Sequence, residues 1–279
     1  MFARIRNSWA LIKASAGVLR ADKELVVFPI VSSIGLLMVT ASFALPMLLA
    51  GFFDALFDGK AQILGAVVGF AFYAVQYTVI IFANAALIGA ATIRLRGGDP
   101  TVKDGFRIAF QHIGVIISYA LVSATAGMIL RWLSERGKLG RVVSSIAGLA
   151  WNLATYLAVP VLVLEDVGPW QAIQRSASLL KKTWGEQIAG NLSVGLILGL
   201  AVVGVILLGI PVFFLVIQTG SVALIVVTAL LFVLVFMLLG LIHSTLNGIY
   251  VAAVYRYAAE GETDGMFSPE MVQGAFKVK

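Results

Sequence analysis

From Gln187 to Tyr255 the chain carries no Asp, Glu, Lys or Arg, and the only break in this apolar stretch is a turn signal at Thr219-Gly220-Ser221. A soluble domain cannot hide so long an uncharged segment. In lipid the backbone must bond to itself, so the spanning unit is a helix of about 20 apolar residues across a core about 30 Å thick. Six runs reach that length, at approximately 25–53, 63–93, 109–130, 142–164, 188–216 and 222–254. Composition agrees: 60% of the 279 residues are hydrophobic, 12% are charged and mean hydropathy is +0.99. Soluble domains carry about 25% charged residues. The expected fold is all-α, a polytopic membrane bundle of six transmembrane helices in a single domain, 1–258. Residues 259–279 read as a polar, mobile cytoplasmic tail.

The polar connections are patterned. Residues 2–20 and 169–184 read as amphipathic helices. In the second, Trp170, Ile173, Ala177, Leu180 and Trp184 recur every three or four positions, among Gln171, Gln174, Arg175, Ser178, Lys181 and Lys182. Pro169 suits a first helical turn and Gly185 a helix end. The expectation is a helix lying flat on the bilayer, with Trp170 and Trp184 as anchors and Arg175, Lys181 and Lys182 on anionic headgroups. Thr101 followed by Asp104 resembles a capping box in the loop 94–107. Residues 53–61, with Asp54, Asp58 and Lys60, form a short polar turn. A charged or amphipathic segment precedes the first, third and fifth runs, which suggests three hairpins, each preceded by an interfacial cytoplasmic segment. The first 24 residues do not read as a cleavable signal, because the apolar run after them is too long.

Lys and Arg set the orientation. With the N-terminus inside, fifteen of the 20 fall on the cytoplasmic side and five outside, namely Lys60, Arg131, Arg136, Lys138 and Arg141. Both termini are thus expected in the cytoplasm, with the basic loop 131–141 against outer phosphates. The net charge of +6 suits an anionic membrane face. Scattered basic residues and no reader module argue against nucleic acid.

Chemistry is mostly excluded. All 14 acidic residues lie outside the apolar runs or at their ends, whereas ion-driven pumps place ionisable groups at membrane depth. With no Cys and two His, neither thiolate chemistry nor usual zinc spacing is available. No catalytic, metal or cofactor site is expected, and the chain reads as a non-enzyme. The polar residues left at depth suggest an inner-half chamber formed by Asn84, Asn152, Tyr156, His243, Asn247 and Tyr250, with interhelical hydrogen bonding as the plain alternative. Gln76, Tyr77 and Thr155 are further polar residues at depth. The small-residue pairs Gly65/Gly69, Ala85/Gly89, Ser144/Gly148 and Gly195/Gly199 permit close helix packing or homo-oligomerisation.

The stretches K23-E-L-V-V-F-P29, A85-A-L-I-G-A-A-T-I-R-L-R-G-G-D-P-T101, Y156-L-A-V-P-V-L-V-L-E165 and I173-Q-R-S-A-S-L-L-K-K-T-W-G-E186 resemble a prokaryotic multi-pass membrane family of unknown function, over nearly the whole chain. The polar helix before the fifth run is also similar to one in the membrane domain of some glycerophosphodiester phosphodiesterases, whose catalytic domain has no counterpart in these residues. The resemblance implies an inner-membrane helical bundle and supplies no catalytic residues. The expected function is membrane organisation or scaffolding; the alternative is a small-solute or lipid permease or channel using the polar chamber.

Single cysteines at Ser8, Ser134 and Ser268 test the orientation. On intact cells an impermeant thiol reagent is expected to label position 134 alone; labelling at 8 or 268 would reverse the assignment.

Overall fold

The computed structural model describes residues 2–51, 62–184, 193–263 and 265–273. The polar turn expected at 53–61, Gly185 and the start of the fifth run lie outside them, as does the side chain of Trp184. The described residues contain helices and no strand. In order, these are α1 (Phe2–Ala21), a 3-10 turn (Lys23–Val26), α2 (Val27–Leu49), α3 (Gln62–Leu95), α4 (Val102–Gln111), α5 (Ile113–Ser134), α6 (Gly137–Thr155), α7 (Ala158–Leu164), α8 (Pro169–Trp184), α9 (Ser193–Gln218), α10 (Val222–Glu260) and α11 (Pro269–Gln273). Five segments are long and apolar enough to cross a membrane: Lys23–Leu49, Gln62–Leu95, Ile113–Ser134, Gly137–Leu164 and Val222–Glu260, with Val202–Gln218 a shorter apolar helix.

The packed core sits at one end. The C-terminal half of α3 is its hub, where Ala85, Ala86, Leu87, Ala90 and Ala91 are essentially without exposure and α2, α4, α5, α7 and α10 pack around them. Small side chains let these helices approach. A Cβ on Gly105 of α4 would lie 2.4 Å from Phe28 Cζ and 2.7 Å from the Ala86 carbonyl oxygen, and one on Gly248 of α10 would lie 2.3 Å from Leu87. Gly89 of the expected Ala85/Gly89 pair receives Ile108, and Ser144 of α6 donates to the Leu130 carbonyl of α5 at 3.0 Å. Phe28, Phe82, Phe106 and Phe110 form a ring cluster beside this hub. Away from the hub, α2, α9 and the first half of α10 present large apolar side chains outward, as a lipid-facing surface does.

The short helices cover the core end. The Thr101–Asp104 capping box forms, with Asp104 N–H donating to Thr101 Oγ1 and Asp104 Oδ2 accepting from the Thr101 N–H at 3.0 Å. The Thr101 hydroxyl, which donates to Asp104 Oδ2 at 2.6 Å, and then the Thr101 N–H hold the Asp104 carboxyl below its ordinary range. Glu24 accepts from the Val102 N–H at the same helix start, 3.0 Å away. The third run bends at His112, so its first residues belong to α4 and the long helix starts at Ile113.

Three expectations are corrected here. The fourth run is not one helix: it breaks at Tyr156–Leu157, because Pro160 has no N–H for the Tyr156 carbonyl and its ring crowds that turn. The segment 169–184 forms a helix, yet its apolar stripe does not enter lipid. Ala172, Ile173, Ser176, Leu179 and Leu180 are buried against α5, α6, α7 and α10, leaving Trp170 exposed. Ser176 Oγ accepts the Leu157 N–H at 2.9 Å, so α8 satisfies the group that the break releases. Nor is the tail wholly loose. Phe267 and Val272 are buried, α11 packs on α1 and α10, and Ser268 Oγ accepts from the Met271 N–H at α11's start.

Charged groups tie the covering end together. Arg256, only 6% exposed, donates to the Leu95 carbonyl, to Glu260 (3.2 Å) and to Glu262 (2.9 Å), while Glu260 also pairs with Arg96. Glu165 accepts from Arg175 at 3.0 Å and from the Tyr255 hydroxyl at 3.1 Å, joining the ends of α7, α8 and α10. Asp22 is buried, and its Oδ2 has no hydrogen-bond partner among the described residues. Burial pushes its carboxyl above the ordinary range; the Glu24 backbone and the Arg94 guanidinium oppose this only in part.

Two stability predictions follow from the packing. Ser176→Ala leaves the Leu157 N–H buried and unpaired, and is expected to cost about 1–3 kcal/mol in detergent unfolding. Gly105→Ala drives a methyl into a backbone oxygen and is expected to cost about 1–3 kcal/mol. The Asp22 shift gives a pH prediction. The folded state binds this proton more tightly than the unfolded state, so the carboxylate weighs against folding at neutral pH and its effect fades as pH falls through the folded value. Asp22→Asn is expected to raise the midpoint of unfolding at pH 7 and to lose that advantage toward pH 4; an unchanged midpoint at pH 7 would show that burial of this charge costs nothing.

Candidate functional site: a polar cleft between α3, α5 and α6

A cleft of about 320 Å³ opens between α3, α5 and α6. Its lining mixes the apolar side chains of Ile80, Ile81, Leu130, Trp151 and Val159 with the polar ones of Tyr77, Tyr119, Ser123, Asn152 and Thr155. Helical spacing brings the polar side chains to it. Tyr119, Ser123, Gly127 and Arg131 follow one another every four residues on α5, so they lie on one face along about 18 Å of axis. Tyr73 and Tyr77 stand four apart on the facing α3. Gly127 removes side-chain bulk at the middle, where its missing Cβ would lie 3.6 Å from the Tyr77 hydroxyl.

The polar groups offer hydrogen bonds and not charge. The Tyr119 hydroxyl lies within polar reach of Ser123 and Thr155, and both Tyr119 and Ser123 are buried. Thr155 donates back to the Trp151 carbonyl at 2.8 Å, which leaves its oxygen as an acceptor toward the cleft. Asn152 is exposed at the lip. Among the described residues no acidic or basic one lines this volume. A smaller pocket of about 100 Å³ shares Tyr77 and Gly127 with the cleft and continues to Tyr73 and Arg131. There Arg131 donates to the Tyr73 hydroxyl and to Glu135, each at 3.2 Å, and Arg136 lies over the Trp132 ring at 3.6 Å. Arg131 is thus the charged end of an otherwise neutral slot.

Only part of the expected chamber meets here. Asn152 lines the cleft, and Tyr77 and Thr155 join it. Asn84, Tyr156, His243, Asn247 and Tyr250 are not among its lining residues. Tyr156 instead faces the buried Tyr250 at the core end. By hydrogen-bond geometry, the Tyr250 hydroxyl and His243 Nδ1 have no partner among the described residues. Sequence reasoning missed Tyr119 and Ser123 as cleft residues, although their four-residue spacing was visible, and named Arg131 only as part of the basic loop 131–141. Among the described residues there is no group of three or more His, Cys, Asp or Glu able to hold a metal. The expected headgroup residues Arg175, Lys181 and Lys182 are exposed on α8, with Arg175 engaged by Glu165.

The chain was compared with known proteins. No curated protein and no solved structure matches it. A family model described as a family of unknown function, DUF6159, matches residues 63–265, a span that contains α3 to α10 and so the whole cleft. That match covers well over half of the sequence, and the chain belongs to this family.

Proposed function

We propose that this protein is a non-enzymatic membrane protein that holds an amphipathic lipid in the cleft between α3, α5 and α6. One observation carries the reading: a cleft whose lining mixes apolar side chains with hydroxyls and one amide, adjoined by a smaller pocket that reaches the guanidinium of Arg131. The volume of about 320 Å³ falls at the lower end of ordinary ligand sites, which run from about 300 to 1,000 Å³. Buried hydroxyls among apolar side chains favour a guest with ester or hydroxyl groups beside an acyl chain. A fully charged solute would find no counter-charge in the main volume.

This reading replaces the expected inner-half chamber with a different polar seam and keeps the lipid-permease alternative ahead of a purely structural scaffold. A larger groove of about 440 Å³ between α9 and α10 supports it less, because Val205, Ile206, Ile210, Phe213, Phe232 and its other walls offer no polar group to orient a ligand. In the same reading α9 serves as a sixth span and the six pair as three hairpins. The Lys and Arg bias places both termini and the short covering helices on the cytoplasmic side of a cell membrane. Arg131 then faces the outer leaflet, where a headgroup phosphate suits it.

A phospholipid carrying a diazirine in its acyl chain, reconstituted with the protein, tests the site. Crosslinks are expected to concentrate on residues 119–131 and 148–159. Asn152→Leu, which fills the lip at an exposed position, is expected to reduce them several-fold with the unfolding midpoint nearly unchanged. Crosslinks spread evenly over the lipid-facing helices, or unaffected by the substitution, would remove the cleft as a lipid site.

A further inference from the structure

The three covering helices α1, α4 and α8 each use their apolar stripe on the protein itself. Leu11, Val18, Ala109, Ala172, Leu179 and Leu180 are all buried. Each helix nevertheless leaves one large aromatic outside: Trp9 at 51% exposure, Phe110 at 63% and Trp170 at 65%. Phe110 also meets Phe82 edge-on at 4.8 Å, but more than half of each ring's residue surface lies outside the protein, and aromatic surface in water is unfavourable. Rings with one apolar face and a polar surround belong at the headgroup level of a bilayer.

The charges beside them point the same way. Arg107 is engaged by Asp104 and Arg175 by Glu165. Lys13, Lys103, Lys181 and Lys182 are exposed and have no acidic partner among the described residues. Lys13 stands 6.0 Å from the Trp9 ring centre. One helix with this pattern would be unremarkable for a soluble surface. Three, packed on different parts of the bundle at the same end, each carry an exposed aromatic and exposed lysine on one helix: Lys13 one turn from Trp9, Lys103 two turns from Phe110, and Lys181 three turns from Trp170.

We propose that α1, α4 and α8 form a docking surface for anionic phospholipid headgroups, with Trp9, Phe110 and Trp170 seated at the acyl boundary and the free lysines on phosphates. The surface selects anionic over zwitterionic lipid around this end of the bundle. It differs from a flat-lying amphipathic helix: the protein takes the apolar stripe, and lipid takes only the flank that carries the aromatic and the lysines. The proposal is independent of the cleft, which lies on other helices and faces.

The full chain in proteoliposomes tests it, with Trp170 as the reporter and Trp9, Trp132, Trp151 and Trp184 changed to Phe. Dibrominated phosphatidylglycerol is expected to quench Trp170 with an apparent affinity about five-fold or more above that of dibrominated phosphatidylcholine, since two lysines lie on the same helix. Lys181→Gln with Lys182→Gln, or high salt, is expected to bring the ratio close to one. Equal quenching by the two lipids, or a ratio that the double substitution leaves unchanged, overturns the charge selection. Absence of quenching by either lipid overturns the docking itself and places Trp170 in water or against a protein. If the single-tryptophan chain does not fold, spin-labelled phosphatidylglycerol and phosphatidylcholine are compared on the protein with its native tryptophans, with and without the two lysine changes, and read by the same criteria.

Discussion

A backbone N–H released inside a membrane protein has no water to turn to, and that constraint organises the core end of this bundle. Pro160 breaks the helix between α6 and α7, and Leu157 loses its place in the ladder. Ser176 of α8 takes that N–H at 2.9 Å. The bond requires α8 to be docked on the break, and docking decides which face of α8 is buried. A serine at the centre of a buried stripe would otherwise be a poor choice, because its own hydroxyl needs a partner there. The break and the helix that covers it therefore satisfy each other.

The same end concentrates the buried charge. Arg256 is buried but surrounded by the Leu95 carbonyl, Glu260 and Glu262. Such a cluster contributes little net stability compared with an apolar replacement, yet losing one member leaves an unpaired charge behind. Its use is geometric. It fixes where α3 ends, where α10 ends and where the chain turns through Gly261, whose φ of +74° suits glycine, toward Phe267 and α11. Glu165 does the same for α7, α8 and α10 through Arg175 and Tyr255. Toward the opposite end the described helices present apolar side chains outward, consistent with lipid as their solvent.

What the sequence made legible was local. Helix length and lack of charge marked the apolar helices; Thr101 and Asp104 marked the start of α4; Thr219-Gly220-Ser221 marked a turn, with Ser221 capping α10. Each signal lies within a few residues of its consequence. Long-range relations stayed hidden. Amphipathic spacing showed that 169–184 has an apolar side without showing whether lipid or protein covers it, and the buried stripe proved to be rotated away from Trp170 toward Ser176. Pro160 lies inside the fourth apolar run, which reads as one helix; its crowding of the residue four positions earlier puts a break at Tyr156. Phe267 and Val272 sat in a polar segment, where two apolar side chains among many polar ones give no periodicity to read.

The cleft illustrates the same limit and why it matters for function. Asn84, Asn152 and Asn247 drew attention because amides are uncommon at membrane depth, yet residue type alone does not bring three helices together. The seam that forms is built of tyrosines, Ser123 and Thr155, with Asn152 at its lip. Hydroxyls are cheap to carry across a membrane because they can bond back to their own helix, as Thr155 does to Trp151. That satisfaction lets the cleft persist without a guest and still offer acceptors to one. An amide or a carboxylate at the same positions would demand a partner at all times. A site that must be apolar enough for a lipid chain, polar enough to orient it and stable when vacant is therefore best made from the residue types found along Tyr119, Ser123 and Gly127. The single guanidinium, Arg131, lies at the end where it can stay hydrated.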